Sequence, residues 1–137
     1  MKLDDAARLF LDTPFRHQGR TLEVGIDCIG LLVFAAMCCG LPQVDGDTTS
    51  YGRDPHDGQL EGHLSALFGP MLPADEMQPG DIAAIRFGSV IRHVGIVGEH
   101  PQGLSLIHTN MAVGRVTEAR IDAKWRRRVA GVYRVNV

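Results

Sequence analysis

The chain has 137 residues, of which 45% are hydrophobic and 22% charged, and its formal net charge is −2. This length predicts one domain, residues 1–137, that is large enough to bury a core. The composition excludes a mostly disordered chain. The small negative charge gives no general attraction for nucleic acid, so we expect no nucleic-acid partner.

The N-terminal sequence MKLDDAARLF has acidic residues where a signal peptide needs a basic end followed by an apolar run. The longest apolar run, from Ile29 to Cys39, is far shorter than the roughly 20 residues that cross a bilayer. We therefore expect a protein that is made in the cytoplasm without a signal peptide and does not insert into a membrane.

The first part of the chain has the apolar spacing of helices. Residues 3–11 carry this spacing with acids in the first turn, and residues 12–20 then read as a loop. A second helix is predicted over residues 28–39, with Asp27 as its N-cap and Gly40 at its end. Because this helix is apolar on every side, we expect it to be central and buried.

The second part of the chain changes to short β-prone runs. A long surface loop is predicted over residues 45–62 and a short helix over 63–68. Five runs with strand character follow, separated by turns, at residues 82–87, 91–98, 104–109, 114–121 and 130–137. Helices first and strands later predict an α+β domain with an antiparallel sheet.

Three cysteines lie on the second predicted helix, at positions 28, 38 and 39. An odd number with two adjacent members is a poor disulfide framework. Zinc bound by all three fails on geometry, because eleven residues of helix span about 16 Å and each thiolate must lie about 2.3 Å from the metal. Cys38 and Cys39 are therefore interpreted as small, buried apolar residues.

Cys28 is different because it follows the capping Asp27 in the first turn of the helix. Unpaired amides and the helix dipole at that end favour a thiolate. Gly30 would leave the backbone near the thiol open to close approach. Position alone leaves both a nucleophile and an ordinary core cysteine open.

A thiol nucleophile needs a base, and His93 and His108 lie in neighbouring predicted strands. With a four-residue loop over residues 99–102, Gly98 pairs with Gly103 and the two histidines face each other directly. They would then supply a base and the group that orients it. The alternative is two chance histidines, which a slip of one residue would place on opposite faces.

The segments DCIGLL, RHVGIV and LIHTN, in that order, resemble the three-part pattern of the NlpC/P60 cell-wall peptidases. The resemblance covers residues 5–135 and implies a papain-like α+β fold, with N-terminal helices packed on a C-terminal antiparallel sheet. The nucleophile of that family stands at the start of a buried helix. The segment TPFRHQGR most resembles the tail-associated peptidases of bacteriophages and gene transfer agents.

The family cleaves peptidoglycan stem peptides, commonly at a D-γ-glutamyl bond to a diamino acid. The resemblance implies that Cys28 is the nucleophile, that His93 is the base and that His108 orients it, with Asn110 as the next candidate. It implies no metal and no cofactor. The amide of Cys28 would be one oxyanion donor.

Three further positions correspond to family positions that recognise substrate. Asp27 matches the acid associated with the substrate amine, and it is also the helix cap. The family often has serine where Ile29 stands and tyrosine where Phe15 stands. These departures leave the stem-peptide preference open.

The resemblance thus implies a cysteine endopeptidase at a phage-like tail tip, which opens the cell wall for DNA delivery. Other tail-tip proteins would be its partners, and it would act in the periplasm or cell wall of the target cell. The alternatives are a catalytically silent tail component, and an amidase or acyltransferase on the same fold. The basic run over residues 124–128 is interpreted as a solvated, charged sheet edge; contact with anionic wall polymer or a tail protein is the alternative.

Overall fold

A computed structural model describes residues 1–21, 25–41 and 59–135 of the chain. These described ranges hold α-helices α1 to α4, at Leu3–Arg8, Cys28–Cys38, Gln59–Phe68 and Ala123–Arg128. Within the same ranges, no helix has the length and apolar character that a bilayer crossing requires.

Seven strands of the described residues form two antiparallel sheets. The short strands β1 (Arg20–Thr21) and β2 (Gly25–Ile26) pair with each other. The main sheet has the order β6-β5-β4-β3-β7, and its strands are Ile82–Phe87 (β3), Val90–His100 (β4), Gly103–His108 (β5), Thr117–Arg120 (β6) and Val129–Tyr133 (β7). Helices that precede an antiparallel sheet confirm the predicted α+β class.

The main sheet is covered on both faces, as alternation along its strands shows. In β3, Ile82 and Ala84 join the core that packs against α1, α2 and α3. Their neighbours Ala83 and Ile85 join a second core on the opposite face, which Trp125 of α4 helps to cover. A strand with period-two side chains can serve two cores in this way.

Helix α2 begins where its N-cap predicts. The carboxylate of Asp27 accepts the backbone N–H of Gly30 at 2.7 Å, and this bond satisfies one of the donors that a helix start leaves unpaired. The helix is followed by Gly40, with φ of 72°, which suits a left-handed helix terminus. Its first half is buried, but Met37 is 55% exposed, so only part of the helix is central.

Several predicted boundaries differ from the structure. Helix α1 ends at Arg8, and α3 begins at Gln59 rather than at residue 63. The rest of the predicted surface loop, residues 45–58, lies outside the described residues. The prediction of a sheet edge over residues 124–128 is wrong, because these residues belong to α4. Asp122 starts this helix by accepting the N–H of Trp125 at 2.9 Å.

The hairpin between β4 and β5 is tighter than the sequence predicts, because Gly98 pairs with Ser105 and not with Gly103. His100 pairs with Gly103 across the turn, and its Nδ1 accepts the N–H of Gln102 at 3.2 Å. Gly103 has φ of 140°, a conformation that favours glycine and permits the tight reversal. The predicted register is therefore wrong by two residues.

Candidate active site

Cys28 brings its sulfur from the start of α2 to the middle of the main sheet. The backbone N–H of Val94, in β4, interacts with this sulfur, as do those of Ile29 and of Cys28 itself. Val94 directly follows His93 in the strand. The fold therefore brings the first predicted catalytic residue to the strand segment that carries the second.

Strands β4 and β5 separate next to Val94. The ladder between β4 and β5 runs from the His100–Gly103 pair to the Ile96–Ile107 pair. Beyond Ile96, residues 90–95 of β4 pair with β3 alone among the described strands. Backbone groups on the β5 side of β4 are thus released from the sheet, and the N–H of Val94 can meet the sulfur.

His93 and His108 make a direct hydrogen bond across this gap. Nε2 of His93 lies 2.9 Å from Nδ1 of His108, and the two side chains are 3% and 4% exposed. The error in register does not separate them, because a shift of two residues keeps every side chain on its face. The histidines meet as diagonal neighbours instead of directly opposed ones.

Both imidazoles are neutral at rest. Burial, with a further contribution from the adjacent His108, lowers the pKa of His93 to about 3. Burial likewise lowers the pKa of His108 to about 4. A desolvated imidazolium is costly, and a second one beside it would be more so. The pair therefore carries one proton on each ring at neutral pH.

The thiol of Cys28 is also neutral at rest, against the sequence-based expectation of a thiolate. Burial, followed by the charge of Asp27, raises the pKa of the Cys28 thiol to about 12. The nearby N–H groups of Val94 and Ile29 oppose this rise but do not cancel it. Desolvation thus outweighs the helix-end effect, because it acts on the whole charge of the sulfur.

A neutral pair can still transfer a proton when its tautomers are suitable. If the N–H of His93 is on Nε2, it donates to Nδ1 of His108, and His108 then carries its own proton on Nε2. This arrangement leaves Nδ1 of His93 with a lone pair, which can accept the thiol proton. His108 would accept from the resulting imidazolium without a change of tautomer.

The three predicted recognition residues lie near the start of α2 but differ in exposure. Asp27 is buried, and its second carboxylate oxygen accepts the N–H of Gln18 at 2.9 Å. Phe15 is half-buried and forms a β-bridge with Ile26. Ile29 is only 7% exposed and belongs to the core. The capping role of Asp27 is confirmed, and substrate contacts by the three residues stay predictions.

Cys38 and Cys39 lie at the C-terminal end of α2, and Asn110 follows His108 by two residues. Cys38 is exposed and Cys39 half-buried, so the prediction that both are buried is wrong: α2 reaches solvent at its C-terminal end. The side chain of Asn110 accepts the N–H of Val113 at 2.8 Å in a local turn. In the described ranges, no three His, Cys, Asp or Glu side chains cluster as a metal site would require.

The aromatic side chains that surround the two histidines were not predicted from the sequence. Trp125, on α4, lies edge-on to His108 with ring centroids 5.0 Å apart, and Phe87 lies 6.1 Å from His93. The missing signal was Asp122, whose position before a run of helix-forming residues marks a helix start. A helix over residues 123–128 turns Trp125 inwards and leaves Lys124 exposed.

A surface cavity of about 880 Å³ lies elsewhere, between α1 and the β6 edge, and neither Cys28 nor the histidine pair lines it. At this edge, Arg8 binds Glu118 at 2.8 Å. That hydrogen bond raises the pKa of the Arg8 guanidinium and lowers the pKa of Glu118. The ion pair ties α1 to the sheet, so we assign this region a structural role.

Comparison with known proteins agrees with this fold. The model of the NlpC/P60 family matches residues 12–134. The fold is similar to the NlpC/P60 domain of the peptidoglycan hydrolase SagA, with a TM-score of 0.64 at 18% identity over 98% of this chain and 97% of that one. It also resembles an N-acetylmuramoyl-L-alanine amidase from Bacteroides uniformis, with a TM-score of 0.59 at 12% identity over 96% and 95% of the two chains.

A protein similar to lipoproteins of the NLP/P60 family, from Staphylococcus aureus, has a TM-score of 0.62 at 18% identity over 97% of this chain. The present chain spans only 40% of that protein. At these identities the likeness concerns the fold. Curated protein sequences give no match. Because the family model matches most of the chain and the fold agrees with it, the chain belongs to the NlpC/P60 family.

Proposed function

We propose that the protein is a cysteine peptidase that hydrolyses peptidoglycan stem peptides, with Cys28 as nucleophile, His93 as base and His108 as the residue that orients His93. The observation that carries the proposal is the 2.9 Å contact between His93 and His108, next to the strand residue whose N–H interacts with the Cys28 sulfur. A nucleophile, a base and an orienting group in this order are the parts of a catalytic triad.

The first step is an attack assisted by the base. The Cys28 sulfur forms a bond to the peptide carbonyl carbon while its proton moves to Nδ1 of His93. Since the thiol and the imidazole are both neutral at rest, charge separates only when a substrate is bound and the sulfur attacks. His108 stabilises the imidazolium through its Nδ1 acceptor.

The second step releases the amine and then the acid. The imidazolium of His93 protonates the leaving nitrogen as the C–N bond breaks, and a thioester remains on Cys28. Water, deprotonated by His93, attacks the thioester carbonyl carbon, the C–S bond breaks and the acid leaves, and the imidazolium of His93 returns its proton to the sulfur. The backbone N–H of Cys28, at the start of α2, is the proposed donor to the oxyanion in both steps.

We further propose a D-γ-glutamyl bond to a diamino acid as the scissile bond, on the resemblance of DCIGLL, RHVGIV and LIHTN to the family. Asp27 would then face the free amine of the stem peptide. The likeness to a muramoyl-alanine amidase supports the amide next to the sugar as the second candidate. A thiol nucleophile can attack either bond, so the shape of the substrate-binding pocket determines which of the two is cleaved.

Purified muropeptides of known structure separate these candidates by the masses of their products. The proposal predicts fragments cut between the glutamyl residue and the diamino acid. Fragments cut at the sugar-linked amide would favour the amidase. A chelator should leave turnover unchanged, and Cys28→Ala should remove it. A correctly folded protein that leaves every muropeptide intact would support the silent structural alternative.

The cellular setting is proposed on residues 13–20, TPFRHQGR, which resemble tail-associated peptidases. In this setting the enzyme is part of a phage-like tail tip, binds other tail proteins, and opens the wall of the target cell for DNA delivery. Mass spectrometry of purified particles tests the setting directly. The presence of the protein in particles would support it, and its presence only in host cell-wall fractions would contradict it.

A further inference from the structure

The histidine pair belongs to a closed cluster of four rings, His93, His108, Trp125 and Phe87. Going around the cluster, neighbouring ring centroids are 5.1, 5.0, 6.4 and 6.1 Å apart. Three of the contacts connect residues that are far apart in sequence. Each distance lies in the range of favourable aromatic contacts, so the rings restrain one another.

Arg128 holds the outer side of this cluster. Its guanidinium carbon lies 5.1 Å from the centroid of Phe87 and 5.2 Å from that of Trp125. A cation over two aromatic faces is attracted to both ring quadrupoles, and partial desolvation strengthens this attraction. Because Arg128 and Trp125 are one turn apart on α4, the helix presents both side chains to Phe87 as a unit.

His108 needs such a restraint. The only hydrogen bond that its imidazole makes among the described residues is to His93, and one bond leaves an imidazole free to tilt about it. The Trp125 ring stands at 69° to the His108 ring. An edge-to-face contact at this angle opposes both tilt and a ring flip, and a flip would remove the Nδ1 acceptor from His93.

We propose that Trp125 is a positioning residue, which holds His108 in the orientation and tautomer that accept the Nε2–H of His93. The proposal rests on the function proposed above for the pair, but its structural part does not depend on turnover. Trp125 contacts no reacting atom and acts only through His108. It also excludes water from the pair, and so helps to keep both rings neutral.

The test compares Trp125→Ala with the conservative Trp125→Phe and with Arg127→Ala, a matched control at an exposed position of the same helix. In Trp125→Ala we expect kcat to fall about 10- to 100-fold, the cost of a small misplacement of a catalytic group, with KM changed less than about twofold. The acid limb of the pH profile should move to higher pH, because water reaches the histidines. Trp125→Phe should keep most of the activity, and Arg127→Ala should match wild type.

A readout without turnover is the ¹⁵N NMR spectrum of the imidazoles. Wild type should show one tautomer for each ring of the pair, and Trp125→Ala should show a mixture for His108. If the protein does not hydrolyse stem peptides, this spectrum still tests the role of Trp125. Should Trp125→Ala fail to fold, Trp125→Leu fills part of the space with an apolar side chain that has no aromatic face, and it is expected to give the same mixture.

Two outcomes would overturn the proposal. One is a folded Trp125→Ala or Trp125→Leu with the wild-type imidazole spectrum and wild-type kcat. The other is a folded Trp125→Phe that loses as much activity as the alanine variant, since an aromatic ring would then not be what holds His108.

Discussion

The two ends of helix α2 place cysteines in opposite surroundings. At the first turn, Cys28 sits beside the buried carboxylate of Asp27, with its sulfur against the backbone of β4. At the last turn, Cys38 is exposed to solvent. The residue type and the apolar helix are the same, and what differs is the element that each end packs against.

The more accessible cysteine of the two, Cys38, is thus not the one that we propose as the nucleophile. An exposed thiol reacts with any small electrophile that reaches its thiolate. Cys28 is held as a neutral thiol, because burial raises its pKa to about 12, and in the proposed mechanism it becomes a strong nucleophile only when His93 takes its proton. A neutral thiol reacts slowly with oxidants, because the thiolate is the reactive form.

The largest expected effect comes from removal of each cysteine in turn. Cys28→Ala should lower kcat on muropeptides by at least about 10⁴-fold, since the loss of a nucleophile removes the whole triad mechanism. Cys38→Ala, at the other end of the same helix, should keep the wild-type rate. Steady-state assays with circular dichroism as a folding control check both, and a substantial residual rate in Cys28→Ala would exclude the thioester.

The next effect concerns the histidines, whose roles are unequal. His93→Ala should approach the loss seen for Cys28→Ala, because general acid–base catalysis is worth about 10²–10⁴-fold and triad members act as a unit. His108→Asn or His108→Gln should keep measurable activity, because an amide can accept the Nε2–H. His108→Ala should lose more. If kcat of His108→Ala equals that of wild type, His93 is oriented by another residue, and Asn110 is the next to test.

Chemical labelling sharpens the comparison of the two ends. Iodoacetamide at pH 7 should modify Cys38 at least about 10-fold faster than Cys28, since Cys38 is exposed and the Cys28 thiol is rarely ionised. Peptide mass spectrometry after short exposure gives the ratio. Faster labelling of Cys28 would mean that a thiolate is present at rest, as the helix-start position alone suggests.

The smallest effect is on stability in acid. The unfolded histidines have pKa values near about 6.5, and burial lowers the folded values to about 3 for His93 and about 4 for His108. Between the folded and the unfolded pKa values, the unfolded state binds more protons than the folded state. The stability contributed by the neutral histidines is therefore fully present above about pH 6.5 and is lost as the pH falls towards the folded pKa values. Between about pH 6 and pH 4, protonation of each histidine in the unfolded state should lower the free energy of unfolding by up to about 1.4 kcal/mol for each pH unit of acidification.

Urea unfolding at a series of pH values measures this slope. The double variant His93→Gln, His108→Gln should have a shallower loss of stability in acid than wild type, and Cys38→Ala should keep the wild-type slope. An unchanged slope in the double variant would mean that the two rings are charged, or exposed, in the folded protein.

Much of the fold follows from local signals in the sequence. Asp27 and Gly40 mark the two ends of α2, and the β-prone run over residues 82–87 is a strand with the predicted bounds. The histidine pair was predicted through a wrong register, and it is correct because the error was an even number of residues. An even shift in register changes which residues pair but leaves each side chain on the same face of the sheet, so the predicted shared face of the two histidines is correct.

The remaining features depend on contacts that local sequence does not encode. Exposure of Cys38 depends on how far α2 extends past the sheet. The neutral thiol of Cys28 depends on desolvation by β4, more than sixty positions away in the sequence. Trp125 reaches His108 only because α4 folds back over the sheet. Burial and ring contacts of this kind are set by tertiary packing, and they decide pKa values and tautomers.

The central claim, that Cys28 attacks with the help of His93, is tested most directly by trapping the thioester. Wild-type protein turning over a defined stem peptide is quenched in acid, digested and analysed by mass spectrometry. We expect an acyl adduct on Cys28 with the mass of the N-terminal part of the substrate, none on Cys38, and none in His93→Ala. Hydrolysis that proceeds without an adduct on Cys28, and that persists in Cys28→Ala, would contradict it.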